Sequence, residues 1–132
     1  MSNAEAPDLV EQASSLPFDA TVERLAQTIL KRGMTIFARI DHAANAREAG
    51  VSMPPTTVLI YGSAKGGTPV MLAAPPAALD LPLRVLVRQR DDGKAVIAFH
   101  PVVAMLRRAG VREDLAARLE PAQQALLAAV AP

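Results

Sequence analysis

Two short segments of this sequence carry residue types that can bind an anion or move a proton. In the first, residues 62–68 (GSAKGGT), glycines let backbone amides approach a ligand and Lys65 can neutralise its charge. The second is Asp41-His42, a carboxylate beside an imidazole, the pairing that general-base chemistry uses. The pattern predicts a small anionic or carboxylate ligand near Gly62–Thr68 and offers His42 as a candidate base.

The first segment resembles a phosphate-binding P-loop only in part. Gly62 and Gly67 have the P-loop separation, but Thr68 and Pro69 stand where a P-loop needs Lys and Ser or Thr. Pro69 also has no amide hydrogen to donate, which argues against nucleotide hydrolysis. Thr68-Pro69 instead predicts an N-cap with proline at the first position of a short helix, residues 69–74.

Composition narrows the function classes further. The chain has no cysteine, which removes thiolate chemistry, and its two histidines would need distant carboxylates to hold a metal, so we predict no metal and no cofactor. A net charge of +1 and an aromatic content of 3% give no basis for nucleic-acid binding. No uninterrupted apolar run approaches the roughly 20 residues that span a bilayer. We therefore expect no membrane segment and a cytoplasmic protein.

Hydrophobic spacing predicts the elements that position these segments. Residues 1–8 are small and polar and predict a flexible tail, and residues 9–132 predict a single domain. Residues 9–16 favour a first strand, and Asp19 can cap a helix that Gly33 ends. The residues expected on the buried face of that helix are Val22, Leu25, Ile29 and Leu30.

Period-2 alternation from Met34 to Asp41 predicts a strand. Its apolar residues, expected to share one face, are Met34, Ile36, Ala38 and Ile40. Asp41 can then cap a short helix closed by Gly50, and residues 56–61 favour the next strand.

The second half of the chain predicts a β-hairpin followed by helices. Strands over residues 83–90 and 94–99 flank Asp92-Gly93, a pair typical of a type I′ turn. Pro101 opens a helix that Gly110 closes, and residues 112–130 are helical with a new turn or kink at Pro121. The fold class is therefore α+β: two layers, with a mostly antiparallel sheet of about four or five strands and helices packed on one face.

Several blocks of the sequence, in order, resemble the bacterial and archaeal domain-of-unknown-function family numbered 302. The blocks that carry the resemblance are residues 40–44 (IDHAA), Pro55-Thr56, Gly62-Ser63, residues 67–71 (GTPVM) and residues 80–83 (DLPL). The resemblance implies a two-layer α+β domain, usually a homodimer, with no established activity. Its motif residues in this sequence are Asp41, His42, Thr56, Gly62, Gly67, Thr68, Pro69, Asp80 and Pro82. The family pattern commonly reads Asn-Pro where this chain has Ser63-Ala64.

Three hypotheses of different classes follow. The first is a small homodimeric module that binds an anion where residues 62–68 and the Asp41-His42 corner face one pocket. The second is an enzyme in which Asp41 or Asp80 holds His42 as base and Lys65 stabilises negative charge. The third is a purely structural or assembly domain, in which the motif glycines and prolines only build turns. The apolar, proline-rich residues 71–83 could form either core or a subunit contact, and we favour the subunit contact.

Overall fold

The computed structural model describes residues 9–132, which form a five-stranded antiparallel sheet with helices on one face. The strands are β1 (Val10–Ala13), β2 (Thr35–Asp41), β3 (Thr56–Gly62), β4 (Leu83–Gln89) and β5 (Ala95–Phe99). The helices are α1 (Phe18–Lys31), α2 (His42–Glu48), α3 (Ala64–Ala73), α4 (Val102–Arg108), α5 (Glu113–Ala116) and α6 (Glu120–Val130), with 3-10 segments at Pro75–Asp80 and Ala117–Leu119. The strand order β1-β5-β4-β3-β2 confirms the predicted fold class. The predicted tail, residues 1–8, lies outside the described residues.

The core lies between one face of the sheet and the long helices. Paired residues of β3, β4 and β5 such as Thr57, Val87 and Ile97 are buried on that face. Within residues 9–132, no helix combines the length and the apolar character that crossing a bilayer requires.

Helix α1 supplies the largest helical contribution to the core. Val22, Leu25 and Ile29 are 0–2% exposed, as predicted, but Leu30 is 59% exposed because it lies one position beyond the buried stripe. The helix also begins two residues earlier than predicted, after Pro17, so Asp19 lies in the first turn instead of at the N-cap. There its carboxylate still favours the positive end of the helix dipole.

Strand β1 ends at Ala13, three residues before the predicted end. The Ser14 hydroxyl accepts a hydrogen bond from the Leu16 amide at 3.0 Å, and this local bond turns the chain towards α1.

Strand β2 contains a bulge that sequence alternation does not show. Residue pairing with β3 passes from Ile36 to Ala38, so Phe37 is the extra residue. One extra residue reverses the face of every later side chain. The predicted common face is therefore wrong: Met34 and Ile36 pack against the core, whereas Ala38 and Ile40 lie on the opposite face of the sheet.

The turn between β4 and β5 forms the predicted hairpin with a different turn type. Gly93 has a φ of +85° but Asp92 does not have a positive φ, which a type I′ turn requires. The Gly93 amide donates to the Arg90 carbonyl and the Arg90 amide donates to the Lys94 carbonyl. This is a three-residue loop: a type I turn over Asp91 and Asp92, followed by a left-handed glycine.

The C-terminal helices begin and end close to the proline and glycine residues predicted to bound them. Helix α4 follows Pro101, and Gly110 after its end has a φ of +88°. Pro121 lies in the first turn of α6, so a new helix starts there as predicted, and the segment before it is divided into α5 and a 3-10 turn. The buried Gln123 side chain ties α6 to the start of α4, because it accepts from the Val102 amide and donates to the His100 carbonyl, both at 2.9 Å.

Candidate functional site

A cleft of about 420 Å³ opens at the end of the sheet where β3 finishes and β2 begins. Most of its lining is apolar, and the walls come from the α1–β2 connection, β2, α3, the segment before β4, and the start of α6. The residues that define this apolar cleft are Arg32, Met34, Phe37, Gly62, Ser63, Ala64, Gly66, Gly67, Thr68, Met71, Leu81, Pro82, Leu83, Arg118, Leu119, Pro121 and Ala122.

Helix α3 forms one wall, and it begins five residues earlier than predicted. Ser63 is the N-cap, and its hydroxyl accepts from the Gly66 amide at 3.2 Å. Thr68-Pro69 therefore lies inside the helix, because the Ser63 cap competes successfully with the Thr68 signal and Val70 is buried. Pro69 removes only the hydrogen bond that the Lys65 carbonyl would accept.

This earlier start decides which side chains of α3 face the cleft. Ala64, Gly67, Thr68 and Met71 have the i, i+3, i+4, i+7 spacing of a single helix face, and all four line the cleft. Lys65 lies off this face, is exposed and does not line the cleft. Of the predicted ligand-binding residues, Gly62, Gly67 and Thr68 line it.

The absence of side chains at the glycines gives the cleft its width. A Cβ at Gly67 would meet the Leu81 and Met71 side chains at 3.8 and 3.9 Å, which is ordinary contact. A Cβ at Gly66 would meet Leu119 at 3.3 Å, so α3 and the start of α6 approach closely there. A larger side chain at Gly67 would enter the space between these walls.

The bulge of β2 brings an aromatic side chain to the same cleft. Phe37 is the bulged residue, lines the cleft and remains 54% exposed. A bulge characteristically re-aims a side chain in this way. Sequence reasoning missed Phe37, because strict alternation placed it on a solvent face; its rarity, as one of three phenylalanines, was the available signal.

Two cations lie at the edge of this apolar lining. Arg32 and Arg118 both line the cleft and are exposed, and neither guanidinium forms an ion pair or side-chain hydrogen bond with another described residue. An apolar cavity with a few charged groups at its mouth suits a ligand with an apolar body and an anionic head. Neither arginine was predicted, because they precede β2 and follow α5 in segments without a motif.

The Asp41-His42 corner lies at the opposite end of β3. Asp41 pairs with Thr57 at the start of that strand, whereas Gly62 ends it. Gly62 lies five residues along the strand from Thr57, which corresponds to about 17 Å. The hypothesis that both segments face one pocket is therefore wrong.

Asp41 has a structural task at this corner. Its carboxylate accepts from the Ala44 amide at 2.9 Å, as the N-cap of α2. His42 is exposed in the first turn and does not line the cleft. Within residues 9–132, no group of three or more His, Asp or Glu side chains is placed to hold a metal ion.

The remaining predicted site residues also lie outside the cleft. The Thr56 hydroxyl donates to the Pro54 carbonyl at 2.9 Å, a local hydrogen bond at the start of β3. Asp80 ends the 3-10 segment just before the cis peptide bond between Leu81 and Pro82, two residues that do line the cleft.

Tyr61 is buried behind the cleft wall. It pairs with Leu83, a lining residue, and its side chain is 0% exposed. The hydroxyl has no hydrogen-bond partner among the described residues. Burial raises the pKa of the Tyr61 phenol above its ordinary value, because the phenolate would lose its hydration.

The sheet order, the helices on one face and the cleft together define a two-layer α+β protein. A family model described as "Domain of unknown function DUF302" matches residues 10–131, and the chain belongs to this family. The crystal structure of an uncharacterized conserved DUF302 protein from Bacillus stearothermophilus has the same fold, with a TM-score of 0.86 over 95% of this chain and 99% of that chain at 18% identity.

Curated relatives with higher identity are much longer proteins. Fluoride-specific ion channel FluC 1 of Brucella suis is 36% identical over 98 residues, which are 73% of this chain and 39% of the channel. FluC 1 of Brucella abortus and FluC 2 of Brucella melitensis show the same identity over 36% of their lengths. The chain therefore spans less than two fifths of these relatives.

Proposed function

We propose that this protein is a small dimeric domain that binds an organic anion in the apolar cleft. The apolar part of the ligand fills the space between Phe37, Met71 and Leu119, and its carboxylate faces Arg32 and Arg118. The observation that carries this proposal is the apolar lining together with two guanidinium groups that form no ion pair with any residue in the range 9–132. The cleft volume of about 420 Å³ falls in the range typical of small-molecule sites.

The two parts of the site contribute differently. Burial of apolar surface gives about 0.8 kcal/mol per methylene, so a six-carbon tail supplies roughly 5 kcal/mol. An exposed ion pair is worth at most about 1 kcal/mol. The tail therefore provides most of the affinity, and the arginines select the charge and orientation of the head group.

The names of the curated relatives suggest fluoride as a second candidate ligand. Fluoride has no apolar part, so the lining of Met34, Phe37 and Leu119 offers it no favourable contact. The geometry favours an organic anion, and the two ligands are distinguished in one assay.

The assay measures displacement of an anionic fluorophore, anilinonaphthalene sulfonate, which gives a clean signal because the chain has no tryptophan. Octanoate, octanol, octylamine and sodium fluoride serve as competitors. We expect octanoate to displace the probe at the lowest concentration, octanol to be weaker, and fluoride to have no effect. If fluoride alone displaced the probe, fluoride would become the proposed ligand in place of the organic anion. If neither the probe nor any competitor bound, the structural or assembly role would be favoured.

A matched pair of variants locates the site. The double variant Arg32→Gln and Arg118→Gln should weaken octanoate binding by about tenfold, which corresponds to two exposed ion pairs. Lys65→Gln removes a charge from α3 outside the cleft and should leave binding within twofold. Equal effects of both changes would show that only net charge matters.

A further inference from the structure

Three of the apolar side chains that line the cleft are of types that favour aromatic partners. Met34 and Met71 contribute thioethers, and Phe37 contributes a ring. A thioether makes favourable contacts with the edge of an aromatic ring, and two rings attract each other in offset or edge-to-face arrangements. A saturated chain gains neither contact. The three side chains belong to two separate parts of the lining, because Met34 and Phe37 lie at the start of β2 whereas Met71 lies in α3.

The ring of Phe37 lies against a stretch of backbone that has no side chain. A Cβ at Gly62 would be 3.8 Å from Cε2 of Phe37 and 3.6 Å from Cβ of Pro82. The side chain of Phe37 is nevertheless 54% exposed, so much of it is accessible to a ligand. A ring that is supported by the backbone and still exposed offers a flat surface in a fixed position.

The methyl group of Met71 has a similar position beside a second glycine. A Cβ at Gly67 would be 3.9 Å from Cε of Met71 and 3.8 Å from Cδ1 of Leu81. Met71 has intermediate exposure and lies on the face of α3 that lines the cleft. At each glycine, the missing side chain therefore leaves room next to a group that favours an aromatic ring.

The size and the charges of the cleft also suit a ring that carries an acid group. A cavity of roughly 150 Å³ holds one benzene molecule. The cleft, at about 420 Å³, has room for one or two rings and for a short arm that reaches the arginines. The guanidinium groups of Arg32 and Arg118 gain a further attraction where they lie over the face of a ring.

We propose that the ligand of the cleft is an aromatic carboxylic acid, and that Met34, Phe37 and Met71 select it over a saturated acid with the same carbon skeleton. This inference rests on the proposed function, because it names the chemical class of the apolar part of that ligand. Burial of apolar area alone gives the opposite order, since a cyclohexyl ring has a larger apolar surface than a phenyl ring. A preference for the aromatic acid therefore reports specific contacts with the ring.

The acids 3-phenylpropionate and 3-cyclohexylpropionate test this preference in the displacement assay, because they differ only in the saturation of the ring. We expect the phenyl acid to displace the anionic fluorophore at about a fivefold lower concentration than the cyclohexyl acid. Equal potency, or a more potent cyclohexyl acid, would overturn the aromatic class and leave the proposed anion site intact. Displacement by octanoate but by neither ring acid would have the same meaning. Absence of displacement by all three acids would overturn both proposals.

Conservative variants assign the preference to individual side chains. Phe37→Leu, and the double variant Met34→Leu with Met71→Leu, keep the cleft apolar, and exchange of methionine for leucine disturbs packing little. Each should reduce the preference for the phenyl acid to about twofold or less. The matched control is Met53→Leu, which changes a residue that is 40% exposed outside the cleft and should keep the full preference. An unchanged preference in both cleft variants would overturn the assignment to these side chains.

Methyl NMR gives a second readout that does not depend on a difference in affinity. Carbon-13 labelling of the methionine methyl groups provides signals for Met34, Met53, Met71 and Met105 within residues 9–132. The ring current of a bound phenyl group should shift the signals of Met34 and Met71, and the cyclohexyl acid should shift them much less. The signals of Met53 and Met105 should stay in place with both acids. Equal shifts of the Met34 and Met71 signals with both acids at saturation would contradict a ring placed against these methionines.

Discussion

Each end of the β2–β3 pair leads into a helix with a side-chain N-cap, but the two ends differ in the cavity beside that helix. The Gly62 end has the apolar cleft, whereas the pockets at the Asp41 end, lined by residues such as Arg47 and Arg88, are more polar. At the Asp41 end, the carboxylate caps α2 and the adjoining His42 is exposed. At the Gly62 end, Ser63 caps α3 with a similar bond, and glycines and a bulge leave an apolar cleft beside it. The comparison shows that equivalent capping motifs do not identify a site; the surrounding walls do.

The largest expected effect on octanoate binding comes from a substitution that fills the cleft at the Gly62 end. Gly67→Leu should reduce octanoate binding by about 100-fold or more, because the added side chain takes the space between Leu81 and Met71. The fold should persist, since a Cβ fits at Gly67 and leucine favours a helix. The matched control is Ala43→Leu in α2, which should bind octanoate normally in the same displacement assay. Equal binding by both variants would remove the ligand from this cleft.

Tyr61, behind the cleft, should give the stability a specific alkaline dependence. Its pKa is raised in the folded state, so the unfolded chain loses the proton first, near the ordinary value of about 10. The contribution of the protonated Tyr61 phenol to the free energy of unfolding is therefore complete below pH 10. Above pH 10, the free energy of unfolding falls by about 1.4 kcal/mol per pH unit. Urea unfolding of the wild type and Tyr61→Phe at pH 8, 10 and 11 measures the difference.

The phenylalanine variant should lack this loss and be equally or more stable at pH 8, because it removes a buried hydroxyl that has no hydrogen-bond partner in the described part of the chain. As Tyr61 is the sole tyrosine and the chain has no tryptophan, ultraviolet absorption follows its ionisation directly. Ionisation of the native protein near pH 10 would contradict the burial.

The two caps give a smaller, paired effect. Asp41→Ala should lower the free energy of unfolding by about 1 kcal/mol, because it removes the carboxylate that accepts from the Ala44 amide. Ser63→Ala should lower it by less, because the Gly66 amide also donates to the Ser63 carbonyl at 3.1 Å. Only Ser63→Ala should also change octanoate affinity, since Ser63 lines the cleft. Thermal denaturation and the displacement assay, applied to both proteins, test this. Weaker octanoate binding by Asp41→Ala would show that the Asp41 end also takes part in ligand binding, which would contradict this account.

The smallest effect is expected at His42. His42→Ala should leave octanoate binding within twofold and stability within about 0.5 kcal/mol, as is usual for an exposed residue. Titration calorimetry and chemical denaturation at pH 5.5 and 8 provide the check. A pH-dependent loss of binding would restore the enzyme hypothesis for the Asp41-His42 pair.

Much of the fold was predictable where one residue type decides the local geometry. Gly33, Gly50 and Gly110 end helices with positive φ, and the loop ending at Gly93 joins β4 and β5 as a hairpin. The cap at Asp41 was equally predictable, because its carboxylate accepts from an amide in the first turn of α2, where the helix itself supplies no acceptor. In these places local chemistry and tertiary packing agree.

Prediction was wrong where two local signals compete. Ser63 and Thr68 are both acceptable N-caps, and the choice depends on packing of Val70 and on the close approach of Leu119 to Gly66. This choice also explains why Gly67 and Thr68 reach the cleft but Lys65 does not. The bulge at Phe37 is similarly invisible in a period-2 pattern, because it depends on pairing with β3.

The cleft itself was only partly predictable. Gly62, Gly67 and Thr68 were assigned correctly to one region, since they are close in sequence. Arg32, Arg118 and Leu119 come from segments about 30 and 50 residues away and meet there through the packing of α6 and α1. Contacts between segments so far apart in the sequence leave no pattern in any short stretch of it.

The most direct test of the central claim is a nitrogen-15 NMR titration of the protein with octanoate. The account predicts that amide shifts concentrate at Phe37, Gly62, Gly66, Gly67 and Leu119, while the amides of residues 41–50 stay in place. Shifts confined to the Asp41-His42 end, or none at millimolar octanoate, would contradict it.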